Sequence, residues 1–152
     1  MSEAVEVKPR ISDRPYPVPI EMRPLWRIAL ILIAISAVGG SNKYLDLKKV
    51  NTLVWMLIRK NRWVEYENFL AGNTNELPLV SVDTATYRAV EFAIAKDFVS
   101  LDRGRLHLRE QGEELVNILD ANDIMDAERD FLQTNGRRLT EKKVKELTGG
   151  FL

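Results

Sequence analysis

The sequence predicts a mainly α-helical fold around one two-stranded β-hairpin, and three observations lead to this fold class. Apolar residues recur at the 3.6-residue period of a helix in most segments. One segment instead alternates apolar and polar residues on both sides of Asp102-Arg103-Gly104-Arg105, as in a hairpin with a tight turn. Glycine pairs or Asn-Gly follow several helical segments, where helices commonly end. The order helix, helix, helix, hairpin, helix is that of a winged helix, and additional helices follow at the C-terminus.

Composition limits the chain to one domain with tails. It has 152 residues, of which 45% are hydrophobic, and this is enough to bury one core but not two of full size. The formal net charge is zero, so contact with nucleic acid or an anionic membrane must be local. Cysteine is absent, which fits a reducing cytosol. The longest apolar run, residues 25–38, is shorter than the roughly 20 residues that span a bilayer. Because residues 1–10 also lack the apolar core of a secretory signal, a soluble, cytoplasmic protein is expected.

Proline content and periodicity divide the chain into three parts. Residues 1–23 contain four prolines, which oppose a helix and favour extended chain, and they are predicted to form an N-terminal arm. Residues 24–121 are predicted to form the winged-helix domain, and residues 122–152 a C-terminal helical extension. The domain begins with a helix from Pro24 to Val38 that is apolar almost all round, so it must be covered on most faces.

Polar residues typical of helix N-caps precede the later helical segments. These are Asp46, Asp83 or Thr84, Asp123 and Thr140. Leu139 and Val144 flank the last of them with the spacing of a hydrophobic staple. Asn135-Gly136 is predicted to end the helix that begins at Asp123. Residues 63–81 lose periodicity and receive no assignment.

The apolar period also assigns residues to the core. In the second helix Met56 lies off the apolar stripe, so it is not assigned to the core. Ile94 lies on the apolar stripe of the third helix. Ile118 lies on that of the fourth helix, which is predicted from about Glu110 to Ala121. The acidic stretch from residue 110 to 130 is interpreted as a solvated face, with a dock for a basic partner as the alternative.

No catalytic or metal-binding set is recognisable. The GxSxG, HExxH and P-loop motifs are absent. The one histidine, His107, lies between Leu106 and Leu108, and strand alternation directs it away from their core face. A metal or general-base site needs several converging groups, which a lone histidine does not supply. The chain is therefore predicted to be non-enzymatic, with no cofactor and no metal.

Two basic groups are candidates for contact with phosphate. The first is predicted to bind DNA without sequence specificity, and scattered surface cations are the alternative. Its members are Lys43, Lys48 and Lys49 around the start of the second helix, and Arg103 and Arg105 in the predicted wing. The third helix offers mainly Arg88 and Lys96 for reading base edges, which disfavours sequence-specific recognition. Residues 137–145 form the second basic group, suited to DNA or to the acidic stretch of a partner.

Three segments together resemble a known family. They are PLWRIALILIAISAVGG, FVSLDRGRLHLREQGEELV and LQTNGRRLTEKKVKEL. In their order, and over residues 26–147, the chain resembles the middle component of bacterial ABC three-component systems, the small winged-helix subunit found in Lamassu-type antiphage defence. The resemblance implies a scaffold in a complex with an SMC-like or ABC-type ATPase subunit and an effector subunit, often a nuclease. It implies no individual binding residues.

Apolar residues near both ends of the chain are candidates for partner binding. Tyr16, Val18 and Ile20 alternate with prolines that restrict the free chain, so a groove on the ATPase could bind them at a lower entropic cost. Phe151 and Leu152 form an apolar C-terminus. The alternative for the arm is a tail without a role. The alternatives for the whole protein are a winged-helix DNA-binding transcriptional regulator and a divergent catalytic domain.

Overall fold

The computed structural model of the protein describes residues 23–81 and 83–149. This part of the chain is 66% helical, which confirms the mainly α class. Its helices are α1 (Pro24–Val38), α2 (Leu47–Ile58), α3 (Trp63–Leu70), α4 (Thr84–Ala95), α5 (Glu110–Ala121), α6 (Asp126–Asn135) and α7 (Glu141–Thr148). Its strands are β1 (Tyr44–Asp46), β2 (Val99–Asp102) and β3 (Arg105–Leu108), and short 3-10 turns lie at Lys60–Arg62 and Gly136–Arg138.

Helix α1 is the centre of the core. Every residue from Ile28 to Ile35 is buried, because α2, α4, α5 and α6 all pack against this helix. The expectation that α1 is covered on most faces is confirmed. Apolar side chains of α6 and α7, including Phe131, Leu132 and Leu147, belong to the same buried cluster. Residues 24–149 therefore share one hydrophobic core, apart from the undescribed residue 82.

The predicted β-hairpin is confirmed as β2–β3, but the sheet has an additional strand that was not predicted, and its three antiparallel strands lie in the order β1-β3-β2. In β3, the central strand, Leu106 pairs with Leu101 of β2 on one side and with Leu45 of β1 on the other. The turn between β2 and β3 is the two-residue Arg103-Gly104, with φ of 53° and 78°. Both angles are positive, as a type I′ hairpin turn requires.

The unassigned segment 63–81 begins with helix α3, which sequence periodicity missed. Tyr66, Phe69 and Leu70 are buried on its inner face. The indole Nε1 of Trp63 donates a hydrogen bond of 2.8 Å to the carbonyl of Met56, which fixes the start of α3 against the end of α2. Only eight residues long, α3 offers too few turns for a periodic pattern to be recognised.

Replacing Tyr66 by phenylalanine is expected to leave the free energy of unfolding at pH 7 unchanged or to raise it by up to about 1 kcal/mol. The Tyr66 hydroxyl is buried and makes no hydrogen bond of good geometry within the described residues, because the nearby indole N–H of Trp55 donates to the carbonyl of Leu79 at 3.0 Å instead. Burial also raises the pKa of Tyr66 from its ordinary 10.0. Above pH 10 the Tyr66 hydroxyl therefore stays protonated in the folded chain but loses its proton in the unfolded chain. The free energy of unfolding falls as the pH rises through this range. Urea unfolding at neutral and alkaline pH checks both expectations.

In the Tyr66→Phe variant this alkaline loss of stability should be smaller than in the wild type. It should not vanish, because burial raises the pKa of Tyr87 as well. A destabilisation of Tyr66→Phe beyond about 1 kcal/mol at neutral pH would show that the hydroxyl is hydrogen-bonded after all.

Two of the predicted N-caps are confirmed. A carboxylate oxygen of Asp83 accepts a hydrogen bond of 3.2 Å from the backbone N–H of Ala85. The hydroxyl of Thr140 accepts one of 3.2 Å from the N–H of Lys143. The staple residues beside Thr140, Leu139 and Val144, are both buried, as their spacing predicts.

Of the other two predicted N-caps, one has the predicted position and one is wrong. Asp46 occupies the N-cap position of α2, but its side chain makes no capping hydrogen bond, and the N–H of Leu47 donates to the carbonyl of Gly104 across the sheet. Asp123 lies in the connection before α6, which begins after Met125. Both Asp123 and Met125 have positive φ, so the chain turns there before the helix starts.

Three core assignments from the apolar period are also wrong. Met56 is fully buried, because α2 is covered by α1 on one side and by α3, α4 and α7 on others. Ile94 and Ile118 are exposed, by 37% and 57%. In α4 the core face is formed by small residues such as Ala89 and Ala93, and Ile94 lies one position beyond it.

Candidate functional site

Part of the predicted DNA-binding set converges on one surface groove. Lys48 of α2 and Arg103 of the β2–β3 turn line it, together with Lys145 of α7. We call it the α2–α7 groove, and its volume is about 420 Å³. Tyr87 of α4 contributes an aromatic side chain to its lining, and the carboxylates come from Asp46 and Glu141.

The remaining predicted DNA-binding residues have other contacts. The ammonium of Lys43 lies 2.7 Å from a carboxylate oxygen of Glu113 on α5. The Arg105 guanidinium lies 4.9 Å from the ring centroid of Tyr44, and its Nε is 3.6 Å from the Asp46 carboxylate. Lys49 is half-buried, and burial lowers the pKa of its ammonium, although Asp46 opposes this. The five residues therefore do not form one set.

The groove member that sequence reasoning missed is Lys145. In the sequence Lys145 belongs to the C-terminal basic group, and only the packing of α7 against α2 brings it beside Lys48. Another member of that group, Lys143, has a structural contact instead. Its ammonium donates a hydrogen bond of 2.7 Å to the carbonyl of Leu70 and ties α7 to the end of α3.

A second groove lies between the start of α1 and the outer face of α4. It is lined by Pro24, Ala85, Arg88 and Phe92, among others, and we call it the α1–α4 groove. Phe92 is 51% exposed there, and Leu25, next to Pro24, is 66% exposed. Phe92 is not among the residues predicted to bind a partner. Its position outside the buried face of α4 is the feature that could have identified it as an exposed aromatic residue.

One polar cluster fixes the geometry of the α1–α4 groove. The guanidinium Nη1 of Arg27 donates to a carboxylate oxygen of Asp83 at 2.8 Å and to the hydroxyl of Thr86 at 3.2 Å. The Thr86 hydroxyl in turn donates to the same Asp83 oxygen at 2.8 Å. Because Arg27 and Asp83 are only 11% and 15% exposed, α1 and α4 are joined by a largely desolvated ion pair.

His107 is packed against an aromatic neighbour. It is half-buried and pairs across the sheet with Tyr44, and the two ring centroids are 5.2 Å apart. Within residues 23–81 and 83–149, no group of three or more His, Cys, Asp or Glu side chains is placed to hold a metal ion. In the same ranges no helix is long and apolar enough to cross a membrane.

The acidic stretch is only partly the solvated face that its sequence predicts. Glu128 is 5% exposed, and its carboxylate lies 3.0 Å from the ammonium of Lys60. Arg129 lies between Asp126 at 2.6 Å and Asp120 at 3.6 Å. These partners neutralise part of the charge, which leaves less of it for a basic protein to bind.

The candidate partner-binding residues Tyr16, Val18, Ile20, Phe151 and Leu152 lie outside the described part of the chain. Their role stays a prediction. No family model, curated protein or solved structure matches the chain.

Proposed function

We propose that this chain is a non-catalytic winged-helix adaptor that joins an SMC-like or ABC-type ATPase to an effector nuclease in a cytoplasmic antiphage defence complex. The resemblance of residues 26–147 to the middle component of ABC three-component systems supports this assignment. The exposed aromatic of the α1–α4 groove supports the adaptor role independently.

The winged-helix part of the proposal is supported by the order of elements and by the sheet. A winged helix has a strand after its first helix, and this strand pairs with the second strand of the wing. Here β1 follows α1 and pairs with β3, which gives the sheet order β1-β3-β2. Helix α3 is an addition between the second helix and the helix before the wing. With this assignment α4 occupies the position of the recognition helix.

Phe92 is the observation that carries the adaptor role. It lies on the outer face of α4 and is 51% exposed, and it lines the α1–α4 groove together with Pro24 and the exposed cation of Arg88. An exposed aromatic ring gains little from a phosphate backbone, whereas buried aromatic and arginine side chains contribute most of the binding energy in protein interfaces. The residues of α4 that would read bases in a regulator are thus better suited to a protein partner.

Replacing Phe92 by glutamate is expected to abolish copurification with the ATPase subunit and to leave the fold intact. The charge would be desolvated in the interface without a partner, which costs several kcal/mol. The full chain is co-expressed with the products of its neighbouring genes, among which the proposal expects an ATPase and an effector. Affinity purification and thermal unfolding then measure both effects.

Ile118→Glu is the matched control, because Ile118 is 57% exposed on α5 and lies outside the α1–α4 groove. Equal recovery of the ATPase with wild-type and Phe92→Glu chains would reject α4 as the docking helix. Neighbouring genes that encode no ATPase, together with a homodimer that holds one defined operator, would favour the transcriptional regulator instead. The cations of the α2–α7 groove, which Tyr87 of α4 also lines, are the observation that favours this second function, DNA binding by a transcriptional regulator.

A further inference from the structure

The charges of the α2–α7 groove are not explained by the stability of the fold. Lys48, Arg103 and Lys145 are exposed and converge on one concave surface. In the described part of the chain none of the three forms an ion pair. Their mutual repulsion is relieved only by nearby carboxylates, and the Asp46 carboxylate also faces Arg105 at 3.6 Å.

Two of the three cations also occupy unfavourable backbone positions. Lys48 lies in the first turn of α2, which contains no acidic residue, and the positive end of the helix dipole disfavours a cation there. Arg103 has a φ of 53° in the hairpin turn. Glycine or asparagine adopts such a positive φ at a lower conformational free energy than arginine does. Lys48 and Arg103 therefore do not stabilise the fold locally. An anion bound between them would offset the free energy that their positions cost.

The other lining residues indicate what kind of anion fits. Tyr87 provides an aromatic side chain on the α4 side of the groove, and Leu47 and Val144 add apolar surface. Proteins that bind single strands combine such cations, which contact the backbone, with aromatic rings on which bases stack. In a duplex the bases stack on one another inside the helix, so none would be free to stack on the Tyr87 ring.

We propose that the α2–α7 groove binds a segment of single-stranded nucleic acid, with backbone phosphates at Lys48, Arg103 and Lys145 and a base against Tyr87. The site shares no lining residue with the α1–α4 groove, so it does not rest on the adaptor role. The carboxylate of Glu141 lies at the same groove and opposes the phosphates, which limits the affinity.

The test measures binding of the full chain to a fluorescein-labelled oligothymidylate of roughly 20 nucleotides by anisotropy over a series of salt concentrations. Three phosphate contacts on a single strand predict a slope of log Kd against log salt of about 2. Lys48→Ala, Arg103→Ala and Lys145→Ala together should weaken binding at least about 10-fold and remove most of that slope. Glu141→Gln should tighten binding about 2-fold.

A matched triple variant separates the groove from overall charge. Arg23→Ala, Arg62→Ala and Arg109→Ala remove the same formal charge from exposed residues that lie outside the groove lining and outside both predicted basic groups. This variant should keep at least half of the wild-type affinity. Circular dichroism of both variants confirms that the fold is retained. A groove variant that is folded and keeps the wild-type slope would overturn the proposal.

The contribution of Tyr87 is tested with an abasic oligonucleotide of equal length and charge. Wild-type chain should bind it about 5-fold more weakly than oligothymidylate, and Tyr87→Leu should bind both equally. Equal affinity of the wild type for both strands would reject the base contact. Binding of a duplex or of a polyglutamate peptide as tightly as the single strand would reject this class of ligand.

Discussion

Replacing Asp83 by alanine is expected to lower the free energy of unfolding by about 3 to 5 kcal/mol, because it leaves the Arg27 guanidinium desolvated and without its carboxylate. The ion pair of 2.8 Å joins α1 to α4, and both side chains are largely buried. The substitution also removes the N-cap that Ala85 uses, which adds to the loss. Urea unfolding followed by circular dichroism at neutral pH measures the change.

A double-mutant cycle separates the ion pair from the cap. Asp83→Asn keeps an oxygen for the N–H of Ala85 but loses the charge, and Arg27→Met removes the cation while keeping apolar volume. The double variant should recover at least half of the loss that Asp83→Asn causes, because no buried charge remains. If the two single effects simply add, the pair is not coupled and the attribution to the buried cation is wrong.

Replacing Gly39 by alanine is expected to destabilise the protein by about 3 kcal/mol. Its φ of −71° suits any residue, so the cost comes from space alone. An added Cβ would meet the carbonyl oxygen of Ile35 and would lie 2.9 Å from the backbone N and O of Tyr44. These are backbone atoms at the end of α1 and the start of β1, so relief requires moving the strand.

Gly136→Ala is the matched comparison, because its Cβ would meet only side-chain atoms of Val38. Truncating that neighbour in Gly136→Ala/Val38→Ala should restore part of the stability that Gly136→Ala loses. The Cβ of Gly39→Ala would meet backbone atoms, which no side-chain truncation removes. The stability lost in Gly39→Ala should therefore not be restored by a second substitution. Thermal unfolding of the three variants measures these differences in stability. A free energy of unfolding of Gly39→Ala within about 1 kcal/mol of the wild type would contradict the predicted steric clash.

The parts of the fold that the sequence predicted are those set by local chemistry. Pro24 begins α1, and the apolar residues that follow require burial on all sides. Arg103-Gly104 defines a two-residue turn with strands on both sides. Strand β1 could not be predicted, because three residues show no periodicity and Tyr44–Asp46 become a strand only by pairing with β3.

The parts of the candidate site that could not be predicted also depend on contacts between residues distant in the sequence. Lys48 and Arg103 were predicted from their places at a helix start and a turn, and both line the groove. Lys145 could not be added, because its neighbours come from elements distant in the sequence. The ion pair of Lys43 could not be predicted for the same reason, since its partner Glu113 is 70 residues away in the sequence. Charge alone does not reveal which cations are neutralised.

The position of β3 at the centre of the sheet sets the order in which that sheet can assemble. The β2–β3 hairpin is closed by neighbours in the chain, which lose little entropy when they pair. Leu45 pairs with Leu106 across a loop that contains α2, α3 and α4, and closing this longer loop costs more entropy. Addition of β1 is thus the high-contact-order step of folding, and it completes both the sheet and the cover over the end of α1.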